Sequence, residues 1–250
     1  MSEFDDIADD VMMNLNLQTT LALPGSRETI LHFYEAVQKE FPSMTSFYQR
    51  ETGEFVLEGD RESGSYSWLE LSSHRMAAGS FNPTSVEEGH RLYTWLLERS
   101  VYFLGVSDLD IECVDVLFGF NLDYDGNRDA LVAEALLEGS PLGNLARTGS
   151  AKAIEFEPSM VITLDEGCYV QGRLSIETHG GGLGVRTGEY EAEPISIYFT
   201  VRRYPRPGKP FRLMELFAKQ CSTCEDLTRR LVIPNIINPI STAISSGGER

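Results

Sequence analysis

Aspartates within residues 121–129 have the oxygen spacing of a calcium-binding loop. Asp123, Asp125 and Asp129 stand where side-chain ligands are expected, but position twelve, where a bidentate Glu closes such a site, is Val132. The residues before the loop alternate in polarity like a strand, unlike the incoming helix of that motif. A strand end followed by an acidic helix cap is the simpler interpretation. We therefore predict no metal and no cofactor, and keep Asp123, Asp125 and Asp129 only as an incomplete candidate.

Cys221 and Cys224 have the spacing of a redox dithiol or of half a zinc site. The chain has four cysteines, and no second pair at this spacing is present to complete a zinc site. Both sulfurs also fall on one helical stripe with Phe217 and Leu227, which points them toward the core. We predict buried, structural thiols.

Neither the glycine-rich run at residues 179–188 nor the histidines form a catalytic signature. A phosphate-binding glycine loop needs a helix directly after it, whereas the acidic residues 189–193 and another strand follow here. A flexible hairpin loop is the simpler interpretation. No histidine stands beside a nucleophile in a recognisable signature; the four are His32, His74, His90 and His179. The sequence therefore favours a protein that is not an enzyme.

Charge and composition narrow the functional classes further. The 250 residues include 38 Asp and Glu against 21 Lys and Arg, a formal charge of -17. Duplex binding draws its free energy from cations, so we expect no nucleic-acid partner unless a local basic strip overrides the net charge. No long apolar run and no basic-then-apolar leader occurs, and four cysteines make no disulfide framework. We expect a cytoplasmic protein without membrane contact, and a protein partner or homodimer.

Periodicity predicts the elements that must position these residues. Residues 14–23 alternate polar and apolar as a half-buried strand does, and Ser26 then caps a helix that ends before Pro42. Ser85 and Glu88 form a capping box at the start of the strongest helix signal. The other predicted strands lie around residue 47 and at 55–57, 66–72, 75–79, 112–122, 154–164, 168–178 and 195–204. The other predicted helices lie at 127–137 and 211–231.

The second half of the chain repeats the plan of the first at an offset of 101 residues. Leu15 aligns with Val116 and Arg27 with Arg128, within strand–glycine–helix stretches of the same order. We therefore predict a duplicated unit. Its ranges are an acidic frayed N-terminus at 1–10, a first α+β repeat at 11–105, a second repeat at 106–233 that shares one continuous sheet, and a C-terminal tail at 234–250.

The predicted fold class is α+β, an antiparallel sheet with helices packed on one face, internally duplicated. In element order, a strand and helix followed by antiparallel strands and a long helix, each copy resembles one half of the TATA-binding-protein saddle. A helix-grip-like single sheet and the α/β shape of bacterial secretion chaperones are the alternatives. Because no family motif carries the comparison, the resemblance implies a shape and no activity.

Strand alternation predicts which side chains lie on the sheet face opposite the helices. That face would carry tyrosine, tryptophan and arginine, the types enriched at interaction hot spots. The candidates are Tyr66, Trp68, His74, Tyr169, Arg173, Glu177, Tyr198, Arg202 and Tyr204. An ordinary solvated sheet face also tolerates these types, so composition alone does not decide between the two. The favoured hypothesis is a non-enzymatic binding or adaptor protein that uses this face, with self-association as one form of it.

Two other functions stay open. An enzyme or small-molecule binder would gather polar groups in a pocket between the two repeats, with Asp115, Asp123, Arg173, Glu177 and His74 as first candidates. An acidic, chaperone-like homodimer would instead shield an apolar segment of its partner. A deep pocket holding three or more of those five residues would favour the enzyme or small-molecule binder, and a shallow face would favour the adaptor.

Overall fold

One antiparallel sheet of nine strands organises the described chain. The computed structural model describes residue 4 and residues 7–146, 148–149 and 151–247. The strands are β1 (Asp10–Thr19), β2 (Ser46–Gln49), β3 (Phe55–Glu58), β4 (Tyr66–Leu71), β5 (Arg75–Phe81), β6 (Ile111–Leu122), β7 (Ser159–Thr163), β8 (Val170–Glu177) and β9 (Ile195–Arg203). Their order across the sheet is β2-β3-β4-β5-β1-β6-β9-β8-β7, and every neighbouring pair is antiparallel.

The first two helices begin at the predicted caps. α1 (Arg27–Glu40) starts after Ser26 and α2 (Val86–Phe103) after Ser85, and each hydroxyl accepts a hydrogen bond from the backbone N–H three residues on. The later helical elements are α3 (Arg128–Leu137), α4 (Pro141–Ala146), α5 (Gly182–Thr187), α6 (Leu213–Leu227), a π-helical segment (Thr228–Ile237) and α7 (Asn238–Gly247). None of the helices in these described ranges is long and apolar enough to cross a membrane.

The two central strands, β1 and β6, lie side by side with Leu15 directly opposite Val116. Buried and half-buried residues alternate along β1, as a strand with one covered face requires. The apolar residues of that covered face form one cluster with buried residues of the helices. Buried residues of the opposite face, such as Val56 and Ala77, do not belong to the cluster. The prediction of an α+β chain with a large antiparallel sheet and helices is confirmed.

The C-terminal residues differ from their prediction as a tail from residue 234. They are helical as far as Gly247. The reason is an apolar stripe at helical spacing, in which Ile237 and Ile240 are fully buried. The predicted helix at 211–231 correspondingly divides, because α6 ends at Leu227 and the π-helical segment follows.

Three smaller differences concern the chain ends and loops. The predicted strand at 154–164 begins only at Ser159, because Pro158 precedes it and the Phe156 N–H bonds to Asp129 Oδ1 (2.6 Å) instead of to a neighbouring strand. The predicted glycine-rich hairpin loop contains the short helix α5. Half of the predicted frayed N-terminus, residues 1–3, 5 and 6, lies outside the described residues, but Phe4 is buried against the rings of Phe118 and Phe120.

Candidate functional site

The sheet face turned away from the apolar cluster is called the open face here. Register assigns to it the even-numbered residues of β1, β2, β3, β4 and β9 and the odd-numbered residues of β5, β6, β7 and β8. Six predicted binding-face residues lie within its strands: Tyr66, Trp68, Arg173, Glu177, Tyr198 and Arg202. Tyr169 and Tyr204 lie just beyond two strand ends, with the Tyr204 N–H donating to the Tyr169 carbonyl (2.8 Å). His74 lies in the exposed turn between β4 and β5.

Two aromatic rings of the open face lie flat against strand glycines. A Cβ added at Gly79 would stand 2.3 Å from Trp68 Nε1, and one added at Gly119 would stand 3.0 Å from the Tyr198 ring. Each ring belongs to the residue directly opposite its glycine in the neighbouring strand. Both aromatic side chains remain half-buried. Glycine therefore lets broad ring surfaces lie on the sheet, which covers the strand backbone and leaves one ring face toward solvent.

Carboxylates of the open face are covered by arginines. Arg202 donates to both carboxylate oxygens of Asp115, at 2.7 Å each, and the side chains are 38% and 6% exposed. Glu70 is equally buried between Arg50 and Arg75, and Glu58 lies beneath Arg61. The hydrogen bonds that Arg202 donates to Asp115 raise the pKa of the guanidinium above its usual range. The solvent-exposed surface of these ion pairs therefore consists mainly of guanidinium groups.

Arg173 is the exposed cation of the second half of the open face. It stands opposite Val161 in β7 and Thr200 in β9, and it forms no ion pair with any residue in the described ranges. The more exposed carboxylates of this face, Asp10 and Glu177, lie in one row at the end of the sheet, with β6 and β9 between them. Arg173 is thus available to a partner without breaking an internal contact.

Three of the four thiols, those of Cys113, Cys221 and Cys224, are buried. Burial raises the pKa of Cys221 to about 12, and burial together with the negative charge of Asp115 raises the pKa of Cys113 to about 11. Cys224 is fully buried, and its thiol points at the carbonyl of Val116 (3.5 Å). The structure thus places Cys221 and Cys224 in the core, where neither thiol is ionised at neutral pH.

The five polar residues named for a pocket between the repeats do not converge. Asp123 lies at one end of β1, where its N–H donates to Asp9 (2.7 Å). His74 lies at the other end, where its carbonyl accepts from the Thr19 N–H (2.9 Å). Ten residues of strand separate these ends by roughly 30 Å. Asp115, Arg173 and Glu177 lie on the open face between them.

The aspartates of the calcium-like spacing also point apart. Asp129 is buried, and its Oδ1 accepts hydrogen bonds from the Phe156 N–H (2.6 Å) and the Thr178 hydroxyl (2.7 Å). Asp123 and Asp125 are exposed. Within the described residues, no group of three or more His, Cys, Asp or Glu side chains is arranged to hold a metal ion.

Arg128 is an anchoring residue that sequence reasoning missed. Its buried guanidinium donates to the carbonyls of Thr178 (2.6 Å), Glu191 (2.6 Å) and Glu193 (2.8 Å), and to that of His179. These bonds connect the residues on both sides of the glycine-rich run to the start of α3. One signal was present in the sequence, because an arginine in the first turn of a helix opposes the helix dipole and needs another reason to be there.

A half-open cavity of about 1100 Å³ lies beside α3, α4 and α7. Small side chains line much of it, including Ala130, Ala133 and Ala146, while Glu134 and Lys152 supply charges. None of the predicted binding-face residues borders this cavity. Its volume is at the upper limit for ligand sites, and we keep it as a second candidate site.

No family model matches the sequence, and no curated protein matches it. Two solved structures align over most of the chain. They are the di-domain ARO/CYC proteins BexL, from the BE-7585A biosynthetic pathway, and StfQ, from the steffimycin biosynthetic pathway. BexL is 7% identical over 93% of this chain and 98% of its own, and StfQ is 10% identical over 95% and 98%, each with a TM-score of 0.22. At this TM-score the likeness supports neither a fold assignment nor a ligand.

Proposed function

We propose that the protein is a binding protein without catalytic activity whose open face takes an acidic, aromatic-containing segment of another protein. The observation that carries the proposal is the layering of charge on that face. Carboxylates such as Asp115 and Glu70 lie beneath, and the guanidinium groups that pair with them are partly exposed above. Arginine presents a planar donor fork that suits carboxylates, and it remains charged at any physiological pH.

The aromatic rings support a protein segment as the partner. Trp68 and Tyr198 offer flat apolar surfaces next to the arginines, and tryptophan, tyrosine and arginine dominate interaction hot spots. A side chain such as Phe or Tyr in the partner would stack on these rings while neighbouring acids meet Arg173 and Arg202. The combination favours an acidic segment that also carries aromatic residues.

The size of the open face suits a macromolecular partner. Nine strands at about 4.8 Å spacing span roughly 38 Å, and a strand of seven residues such as β5 adds roughly 23 Å in the other direction. The product is close to the ~800 Å² that each partner buries in a standard interface. A small molecule would cover only a fraction of such a surface.

Nucleic acid fits the same face less well. Tight duplex binding relies on about six to ten phosphate contacts from free cations. Here Arg50, Arg61, Arg75 and Arg202 already neutralise carboxylates of their own chain, and the whole chain carries a charge of -17. A short acidic peptide needs fewer cations and meets less long-range repulsion than a polyphosphate chain.

A titration by fluorescence anisotropy tests the proposed partner class. The probes are a labelled fifteen-residue peptide rich in Glu, Asp and Phe, a lysine-rich peptide of equal length, and a twenty-nucleotide oligo(dT). We expect saturable binding of the acidic peptide alone, weakening as salt rises. Preference for oligo(dT) or for the lysine-rich peptide would overturn the choice of partner.

We also propose that the open face is built from a duplicated unit. The offset of 101 residues aligns Leu15 with Val116, and these residues are the opposed pair near the middle of β1 and β6. Tyr93 of α2 donates to the carbonyl of Met13, and Gln220 of α6 donates to that of Val114 (2.7 Å), which is again 101 residues further on. Outward from the centre, β5, β4 and β3 in one half match β9, β8 and β7 in the other. These correspondences support a two-fold-like surface.

The cavity beside α3 supports small-molecule binding as a second candidate function. Its volume of about 1100 Å³ exceeds that of most ligand sites, and its lining mixes alanines with a few polar groups. The probe is the apolar dye ANS, whose fluorescence rises in such sites. Ala133→Phe would fill the cavity and is expected to lower the ANS signal, whereas Tyr198→Ser on the open face would leave it unchanged. Equal signals from both variants would reject the cavity as a ligand site.

A further inference from the structure

Strand β7 forms a free and apolar edge of the sheet. Its side chains Met160, Val161 and Ile162 are 64%, 58% and 42% exposed, and the strand carries no charge. It pairs only with β8, so one row of its backbone N–H and C=O groups has no partner strand in the described chain. Soluble proteins usually protect such edges with lysine, proline or a covering element. Pro158 limits this edge at one end, but the strand itself carries no lysine, proline or cover from the described chain, so it is available for pairing with another strand.

The two ends of the sheet differ by one strand. Four strands lie outside β1, ending with β2, but only three lie outside β6, ending with β7. β2 pairs with β3 in the first half, and the equivalent place beside β7 is unfilled by the described chain. A strand from another molecule has room to pair there with the geometry that β2 has beside β3.

Exposed apolar side chains are concentrated in the part of the sequence that contains β7. Of the fourteen large hydrophobic side chains that are exposed in the described residues, eight lie between Leu142 and Tyr190. That segment is about a fifth of the chain. Three of the eight are the consecutive residues Met160, Val161 and Ile162 of β7, and adjoining exposed apolar residues mark an interaction surface more than single scattered ones do.

We propose that a second copy of this chain covers the edge, through antiparallel pairing of β7 with β7 centred on Val161. In that register Met160 of one copy lies opposite Ile162 of the other, and Ser159 lies opposite Thr163. Met160 and Ile162 therefore meet on one face, while on the other face Val161 meets Val161 between two pairs of hydroxyl side chains, so the strand is complementary to itself. An isologous two-fold contact requires such self-complementarity.

Charges near the edge are compatible with a second copy. In this register Glu157 of one copy would lie opposite Asp165 of the other. Glu157 accepts the N–H groups of Thr178 (2.9 Å) and His179 (3.1 Å), and Asp165 pairs with Arg206. The Arg206 guanidinium would therefore offset the repulsion between the two carboxylates. Charges further along the chain are screened over about 8 Å at physiological salt.

The pairing has a consequence for the open face. A two-fold axis between antiparallel strands runs perpendicular to the sheet, so both open faces look to the same side. The dimer would join them into one continuous surface of eighteen strands, on which two partner segments could bind. The dimer contact uses backbone groups and β7 side chains. The dimer can therefore be confirmed or rejected independently of the proposed partner of the open face.

Site-directed cross-linking tests the register. In a Cys168→Ser background, which removes the exposed native thiol, Val161→Cys places two thiols face to face with Cα atoms about 4.5–5.5 Å apart. That separation suits a disulfide, so mild oxidation is expected to give a covalent dimer. Thr163→Cys in the same background is the matched control, because its two Cα atoms would be roughly 13 Å apart and stay unlinked. Ser159→Cys combined with Thr163→Cys is expected to restore the link.

Light scattering coupled to gel filtration supplies the second measurement. The wild type is expected to have the mass of two chains, Ile162→Lys that of one, and Leu109→Lys that of two. Leu109 is the matched control because it is exposed and lies outside the segment from Leu142 to Tyr190. Circular dichroism melting would check that Ile162→Lys remains folded. A monomeric wild type, or equal cross-linking at positions 161 and 163, would overturn the proposal, and so would a monomer that captures a basic strand peptide at β7.

Discussion

Arg202 and Asp115 form a two-point ion pair across the ladder between β6 and β9, with the carboxylate buried and the guanidinium partly exposed. The two residues are 87 positions apart in sequence. The pair fixes the position of one arginine on the open face and prevents the carboxylate from repelling an acidic partner. It therefore links the stability of the sheet to the recognition chemistry we propose.

Removing Arg202 alone is expected to destabilise the fold. Arg202→Leu leaves Asp115 buried without a counter-ion, a change that costs 3–5 kcal/mol in fully buried pairs, and partial exposure of the arginine reduces our expectation to about 2 kcal/mol. The measurement is the free energy of unfolding in urea. Asp115→Leu combined with Arg202→Leu is expected to recover most of the loss, because no unpaired charge remains. Equal losses in the single and double variants would contradict this account of the pair.

Tyr93→Phe and Gln220→Met test the two equivalent helix-to-strand hydrogen bonds. Tyr93→Phe removes the bond to the Met13 carbonyl and is expected to cost about 1 kcal/mol of unfolding free energy. Gln220 donates to the carbonyls of Val114 and Val201, but its buried Oε1 has no partner in the described part of the chain. Gln220→Met also removes that unsatisfied oxygen, so it should cost no more than Tyr93→Phe despite losing two bonds. A cost of ~3 kcal/mol for Gln220→Met would show that Oε1 is satisfied in solution.

Arg128→Lys is expected to release the glycine-rich segment. A single ammonium cannot reproduce the hydrogen bonds that the guanidinium fork makes to several carbonyls, and each such bond contributes about 1.5–3 kcal/mol. Amide hydrogen exchange of residues 179–193 should therefore accelerate at least about tenfold. The control is Arg27→Lys, which changes the aligned but exposed residue of the first half. Unchanged exchange in Arg128→Lys would show that the segment is held by other contacts.

Asp123→Asn is expected to raise the melting temperature slightly at neutral pH. Although Asp123 is exposed, partial desolvation of its carboxylate and the neighbouring Asp9, Asp10 and Asp125 raise its pKa, so the folded state disfavours its ionised form. The protonated carboxyl carries no such cost, so the wild type is relatively more stable below the unfolded pKa of Asp123. This stability is lost as pH rises through the raised folded pKa, and the full cost of the ionised carboxylate is present at pH 7. We expect a gain of about 1–2 °C at low salt that shrinks in 0.5 M NaCl and vanishes below about pH 3.

The control for that change is Glu51→Gln. It removes one charge from an exposed turn and leaves the cluster around Asp123 intact. A gain of the same size in both variants would mean that net charge, and not the cluster, limits stability.

Strand alternation predicted the parts of the fold that one covered face controls. β1 buries every second residue, and β6 places its apolar residues of one parity on the same covered face, so a period of two was visible in the sequence at Leu15, Leu17, Val116 and Phe118. Helix caps at Ser26 and Ser85 were equally readable, because capping depends on residues only three positions apart. Local chemistry was sufficient for these features.

Contacts between distant residues could not be predicted in the same way. Whether Arg128 is buried depends on carbonyls 50 and more residues further along the chain, whereas Arg27 in the aligned position is exposed. From the sequence, Gly79 and Gly119 indicate only positions where a strand is weakened. Their role as the surface beneath Trp68 and Tyr198 depends on the strand register. The helical C-terminus was missed because serines and prolines masked the spacing of Ile237 and Ile240.

The most direct test of the central claim compares charge reversals on the two sides of the sheet. Arg173→Glu with Tyr198→Ser alters exposed and half-exposed groups of the open face, and Lys39→Glu, in α1 among the helices, is the control. The anisotropy of the labelled acidic peptide is followed at fixed salt. We predict that the dissociation constant rises at least tenfold for the open-face variant and that Lys39→Glu keeps the wild-type affinity. Unchanged affinity in the open-face variant, or no binding by the wild type, would contradict the account.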